Sequence, residues 1–420
     1  MGGGSGAMAP MADYGRPSRT MKAPQEGRLS GRLAGGMVVA VLFMGSTLLT
    51  PLYDMYRTSY GFSALVLVLL YAVYVIGNLA ALLFLGRLAD QIGRKPMVLT
   101  GLALASLSAT IFLCARNLDW LFAARVVSGL AVGIGSGAAV AWITEFTPAE
   151  RRTRAASLMT AFNFVGLALG PALAGPLVQY APEPFRLPFA IYLIFLGGVA
   201  ALVFFQPETL SRRSELSFQP RLGVPKGARL AFAAPAATGF AAMAVVGFYA
   251  ALGPTTIQRD LHVTNRAVVG LIIDELFIVA ALLILVSQRL TPRKTMLAGL
   301  IATPAGMALL VLSQRLGSMP ILLLGTAVCG AAGAFGYRGG LAVANSLAPA
   351  ERRAEIASVF FICCFCGNAL PVIGAGALTQ ATNAHLADLV FAGVVSAIAG
   401  GALFLALATR RSAGGPATVI

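Results

Sequence analysis

GRLADQIGRKPMV, residues Gly86 to Val98, lies between two long apolar runs and decides the fold. A short loop carrying Arg87, Asp90, Arg94 and Lys95 between two such runs describes a hairpin of membrane helices with a charged turn. The chain around it has 420 residues, of which 58% are hydrophobic and 11% charged. A soluble domain carries about 25% charged residues. So apolar a chain cannot present a water-compatible surface, and an all-α polytopic membrane protein follows.

Twelve stretches are long and apolar enough to span a bilayer: 33–53, 62–85, 97–115, 119–144, 155–179, 187–206, 230–253, 266–287, 295–313, 320–346, 355–379 and 386–408. The polar, basic segment 207–229 divides them six and six. The expected organisation is therefore a disordered arm (1–32), a six-helix bundle (33–206), a linker (207–229), a second six-helix bundle (230–408) and a tail (409–420). No apolar run precedes a small-residue cleavage site in the arm, so the first span is expected to stay in the membrane.

The net charge of +15 would suggest nucleic acid in a soluble protein. Here its distribution gives another reading. With both ends on one side, 23 of the 31 Lys and Arg fall on that side and 6 on the other. This bias predicts cytoplasmic ends and excludes a nucleic-acid partner. The five cysteines, Cys114, Cys329, Cys363, Cys364 and Cys366, all sit in apolar runs with no histidine nearby, so no metal is expected. His262 and His385 fall in outer loops, which argues against an enzyme. No phosphate-cradling glycine loop is present, and no nucleotide or other cofactor is expected.

The halves repeat one another. TPAERRTRAAS (147–157) matches APAERRAEIAS (348–358), and RKPMVLTGLALA (94–105) is echoed by RKTMLAGLIATP (293–304). An offset of about 200 residues between spans of equal rank indicates duplication.

The pattern formed by Gly86, Asp90, Gly93, Arg94 and Lys95 resembles the loop signature of the major facilitator superfamily of secondary transporters. The resemblance covers residues 33–408. It implies two pseudo-symmetric six-helix bundles, transport by alternating access, and energy from an ion gradient. It also implies that Asp90 sits beside the start of span 11, where the helix dipole favours a carboxylate. A latch built on Asp90 is expected, with Arg94 pairing with Asp90 or Glu150. Glu145 is expected to meet Arg151 or Arg152. In span 5, Gly166, Gly170, Pro171 and Gly175 form one small-residue packing ridge, similar to the G-x-x-x-G-P motif of the drug/proton antiporter branch but without its usual Gly-Gly ending.

Four residues are expected to carry proton coupling. Arg125 resembles the helix 4 arginine of the family, and Asp54 is its candidate partner. Asp274 and Glu275 lie at the middle of span 8, where an acid is costly unless functional. Arg338 in span 10 is their expected counter-ion or an anion anchor. Tyr71, Tyr74 and Asn78 share one face of span 2. With Asn163, Asn368, Phe248, Tyr249, Phe361 and Phe365 they are expected to line a cavity for a moderately apolar substrate. The leading reading is a monomeric inner-membrane transporter exporting small organic molecules or drugs in exchange for protons. The alternatives are a proton-coupled importer of a metabolite, such as an anion held by Arg338, and a non-transporting receptor or scaffold.

Overall fold

A computed structural model describes residues 25–85, 88–148, 151–208, 222–349 and 352–412, together with Gly2. A bilayer leaves backbone polar groups no water to bond, so apolar spans must satisfy them internally as helices. Among the described residues twelve helices are long and apolar enough to cross a membrane: α1 Gly31–Tyr60, α2 Ala64–Leu85, α3 Arg94–Leu113, α4 Leu118–Glu145, α5 Ala155–Tyr180, α6 Leu187–Phe204, α7 Arg229–Ala251, α8 Arg266–Arg289, α9 Pro292–Leu316, α10 Met319–Ser346, α11 Arg353–Ala381 and α12 Ala384–Ala408. Among the described residues there is no strand.

Several ends differ from the sequence reading. Helix already begins at Gln25, inside the segment expected to be disordered. Arg32 ties this end down by donating from Nη2 to the Phe146 carbonyl at 2.8 Å, just past the end of α4. Span 1 runs on past residue 53: a 3-10 turn at Thr50–Leu52 precedes a last helical piece, Tyr53–Tyr60. The final helix continues to Ser412, into the expected tail. A separate short helix, Gly253–Leu261, joins α7 to α8.

Packing follows the duplication. In the first half α1 packs on α4, α5 and α6, α3 on α4 and α6, and α2 on α4; the second half repeats this with α7 on α10, α11 and α12, α9 on α10 and α12, and α8 on α10. Close backbone approach is repeated too. A Cβ on Gly166 would fall on the Ala40 carbonyl oxygen (α5 on α1), and one on Gly367 would fall on the Phe240 carbonyl oxygen (α11 on α7). Small residues drive such contacts because helices in lipid gain by close van der Waals packing rather than by escaping water.

The halves meet along two seams, α2 with α11 and α5 with α8. The end of α2 and the start of α3 lie at one end of the molecule, the basic face, as do the facing ends of α4 and α5, α6 and α7, α8 and α9, and α10 and α11. At the opposite face the halves are tied together, at α1 with α7 and along the α5–α8 seam. Thr50 Oγ1 donates to the Ala250 carbonyl at 3.1 Å, Asn265 Nδ2 to Tyr180 Oη at 2.8 Å, and the Arg266 N–H to Gln179 Oε1 at 2.9 Å.

Candidate functional site

A cavity of about 750 Å³, including its mouth, lies between the halves. Helices α1, α2 and α5 supply one wall, and α7, α10 and α11 the other. Of the residues expected to line it, Tyr71, Tyr74, Asn163, Asn368, Phe361 and Phe365 do so. Tyr71 Oη donates to Asn368 Oδ1 at 2.6 Å, a buried bond across the α2–α11 seam. The lining also includes Phe43, Ser46, Thr47, Phe164, Tyr337 and Cys364, which the sequence did not single out. Tyr337 was the most legible of these, being the neighbour of the conspicuous Arg338. Ser46 and Thr47 carried no signal, because isolated hydroxyls are common in membrane helices.

Three expected lining residues lie elsewhere. Asn78 turns its Oδ1 toward Gly133 of α4, where the two helices touch. Phe248 packs on Phe391 of α12 with ring centroids 4.8 Å apart, and the Tyr249 hydroxyl is 3.1 Å from Thr326 Oγ1 of α10. Both are buried inside the second half. Along α7 almost every face is apolar, so the sequence could not tell the cavity face from the bundle face.

Among the described residues the cavity lining contains no charged side chain. Thr47 has a second task. Pro171 lacks the N–H that would pair with the Leu167 carbonyl in α5, and Thr47 Oγ1 donates to that carbonyl at 2.8 Å instead.

The small-residue segment of α5 does not form one ridge against one helix. Gly166 and Gly170 meet α1, at Ala40 and Thr47, whereas Pro171 and Gly175 meet α8 of the other half, at Gly270 and Ala267. The change of partner follows the helix rotation across the five-residue step from Gly170 to Gly175.

Arg125 is fully buried but has no acidic partner among the described residues. Its Nη1 donates to the Ser46 carbonyl at 2.9 Å and its Nη2 to the Tyr53 hydroxyl. The guanidinium lies over the rings of Tyr53 and Tyr74, 5.5 and 5.4 Å from their centroids. The expected Asp54–Arg125 pair is absent. Asp54 instead pairs with Arg57 at 3.0 Å, one turn along the same helix and beyond the 3-10 turn at Thr50–Leu52.

Asp274 and Glu275 diverge, as adjacent helical residues must. Asp274 is 1% exposed and lies beside the α5 backbone at Ala172, in the seam between the halves and outside the cavity. Neither of its carboxyl oxygens meets a donor at hydrogen-bonding geometry among the described residues. Glu275 is half-buried, with Oε2 likewise unpartnered. Arg338 is not their counter-ion, nor does it line the cavity. It lies nearer the basic face, where Nη1 donates to Ser287 O at 2.7 Å and Ser287 Oγ at 3.0 Å, and Nε to Ser157 Oγ of α5 at 3.3 Å. A cation at the last carbonyls of α8 is favoured by the helix dipole, which outcompetes acids more than two turns away.

The loop motif closes on its own half. The N-cap of α3 is Gly93, with φ 133° and no capping side chain. Glu208, just beyond α6, supplies the cap by accepting from the Arg94 and Lys95 N–H groups at 3.1 and 3.0 Å. A Cβ on Gly93 would stand 2.6 Å from Glu208 Oε2, so glycine is required twice over. Arg94 pairs with Glu145 of α4 at 3.0 Å, and Lys95 Nζ donates to the Phe204 carbonyl at 2.6 Å. Gly86, Glu150 and the Asp90 side chain lie outside the described residues.

Twelve helices in two repeated halves around one central cavity are an arrangement shared with known transporters. A family model described as the Major Facilitator Superfamily matches residues 36–291. The chain belongs to the Major Facilitator Superfamily. Transporters of known structure share its fold. A bacterial homologue of the human lysosomal transporter Spinster, solved inward-facing and occupied, superposes with a TM-score of 0.70 at 17% identity, over 92% of this chain and 98% of that one. A mutant form of the nucleoside transporter NupG gives 0.68 at 15% identity, over 89% and 99%. In sequence the chain is similar to the quinolone resistance protein NorA of Staphylococcus aureus, 27% identical over 166 residues, which is 40% of this chain and 41% of that protein. It is also similar to multidrug resistance protein 2 of Bacillus subtilis, 28% identical over 182 residues, 43% of this chain and 45% of the relative. The match thus spans under half the length of these curated relatives. This is a multi-pass membrane protein with the family and fold of transporters.

Proposed function

We propose that this chain is a proton-coupled secondary transporter that exports small organic molecules across the inner membrane in exchange for protons. The observation that carries the reading is the separation of two sites. An uncharged, aromatic-rich cavity lies between the halves, and a buried carboxyl, Asp274, lies in the α5–α8 seam beside it. The cavity suits apolar compounds with a few hydrogen-bonding groups. The seam is where relative movement of the halves would wet or dry the carboxyl.

In this reading Asp274 is neutral while the seam is closed, since an ionised carboxylate there would be unpaired in an apolar medium. Opening toward the opposite face admits water and lets the carboxylate take up a proton from outside; the neutral acid allows closure, and opening toward the basic face wets it again and releases the proton to the cytoplasm. Glu275 is the reserve proton carrier. In this reading the basic face is cytoplasmic, which the distribution of Lys and Arg supports. Arg338 with Ser157 then forms a contact between the halves on the cytoplasmic side, and the Glu208–Gly93–Arg94–Glu145 network braces the first half as it rocks. An Asp90 latch to the start of α11 belongs to the same reading. The drug-resistance names of the partial relatives support export over import.

The test is substrate-dependent proton flux in proteoliposomes holding the full chain, with the drug susceptibility of cells with and without it. Export by antiport predicts protons moving against the substrate and reduced susceptibility. Flux of both in the same direction would establish symport and sink the antiport reading.

A further inference from the structure

Arg125 is a full positive charge buried against the cavity wall without a compensating acid among the described residues. Both groups that hold it from the cavity side, the Ser46 backbone and the Tyr74 ring, belong to residues that line the cavity. The remaining contacts are the Tyr53 hydroxyl and ring. Its Nε has no partner among the described residues, and the nearest acid in sequence on α1, Asp54, is held by Arg57. Cation–π contacts and one carbonyl offset part of the cost of burying a guanidinium, but they leave its net charge in place. A low-dielectric wall transmits that charge into the cavity with little screening. No carboxylate among the described lining residues cancels it.

We infer that the cavity selects amphipathic organic anions: an aromatic or aliphatic body on Phe43, Phe164, Phe361 and Phe365, with its carboxylate beside the Ser46–Tyr74 wall backed by Arg125. The inference rests on the proposed use of this cavity for transport substrates and names their chemical class. It assigns to Arg125, not Arg338, the charge that a substrate anion meets. No direct ion pair forms; the arginine acts through the wall as a fixed field.

The experiment is equilibrium binding to the purified full chain at pH 7 of three probes of one shape: 2-naphthoate, neutral 2-naphthamide and cationic 2-naphthylmethylammonium. Naphthoate is expected to bind on the order of tenfold tighter than the amide, with the ammonium weakest. In Arg125→Gln the three affinities should converge to within about twofold, whereas Arg125→Lys keeps the order. Equal or reversed affinities in the unaltered protein overturn the inference, whether or not the variants fold. So does a preference for naphthoate that survives Arg125→Gln. Phe365→Trp, which narrows the cavity where the aromatic body would lie, separates the two levels of argument. If all three probes bind equally and all are displaced by Phe365→Trp, the cavity reading stands and the anion preference falls. If none of the probes binds, both fall.

Discussion

Replacing Asp274 by leucine is expected to make the protein more stable and to disconnect it from protons. Leucine branches at Cγ as aspartate does, so the substitution opens no cavity and adds little bulk. Asp274 is 1% exposed, and neither oxygen meets a donor among the described residues. Burying a polar group without a hydrogen bond costs about 1–3 kcal/mol in proteins. Leucine removes that cost and keeps the contacts with α5, so a gain of about 1–3 kcal/mol is expected. Such a gain would mark the acid as kept for function at the expense of stability. Stability is measured by reversible denaturation in mixed detergent micelles, and coupling by substrate-driven acidification of a dye in proteoliposomes. A loss of more than about 1 kcal/mol would refute the reasoning, because it would show a carboxyl engaged in structural bonds. Undiminished proton flux in Asp274→Leu would show that the proton travels elsewhere.

Four further substitutions test the geometry. Glu208→Gln weakens the cap on the Arg94 and Lys95 N–H groups and should cost about 0.5–2 kcal/mol, while Gly93→Ala, at φ 133° and facing Glu208, should cost about 1–3 kcal/mol; both are read by the same denaturation assay. Thr47→Val strands the Leu167 carbonyl opposite Pro171 and should cost about 1–3 kcal/mol, with a change in substrate affinity because Thr47 lines the cavity. At the opposite face, burial alone would lower the Arg259 guanidinium, but its bonds to Asp260 and Asp388, at 2.5 and 2.6 Å, raise it beyond the ordinary arginine range. Arg259→Met leaves two buried carboxylates facing each other and should cost about 2–4 kcal/mol, discounted for the partial exposure of the arginine; an unchanged melting curve would show that Gln314 and Thr256 suffice.

The two arginines show how far sequence reasoning reaches. Both Arg125 and Arg338 stand out in apolar spans, and each marks a place of consequence. Their partners do not follow from the sequence, because an arginine side chain is long and a helix offers it carbonyls and hydroxyls as well as acids. Arg338 reaches Ser287 and Ser157, and Arg125 reaches Ser46 and Tyr53. The same holds for Arg94, whose guanidinium reaches Glu145 at the end of α4, 51 residues away in sequence.

The sequence by itself determined the membrane class, the twelve helices, the duplication and the division into halves. These depend on properties summed along the chain: apolar length, charge bias between loops, and self-similarity at a fixed offset. Only the tertiary structure decided which faces of nearly uniform apolar helices meet. That choice put Tyr71 on Asn368 across the cavity, turned Phe248 and Tyr249 away from it, left Arg125 behind its wall, and set Asp274 in the seam. A helix that is apolar all round carries no periodic signal of its orientation. Its rotation is fixed by where glycines allow backbones to touch, and that is a property of pairs of helices rather than of one.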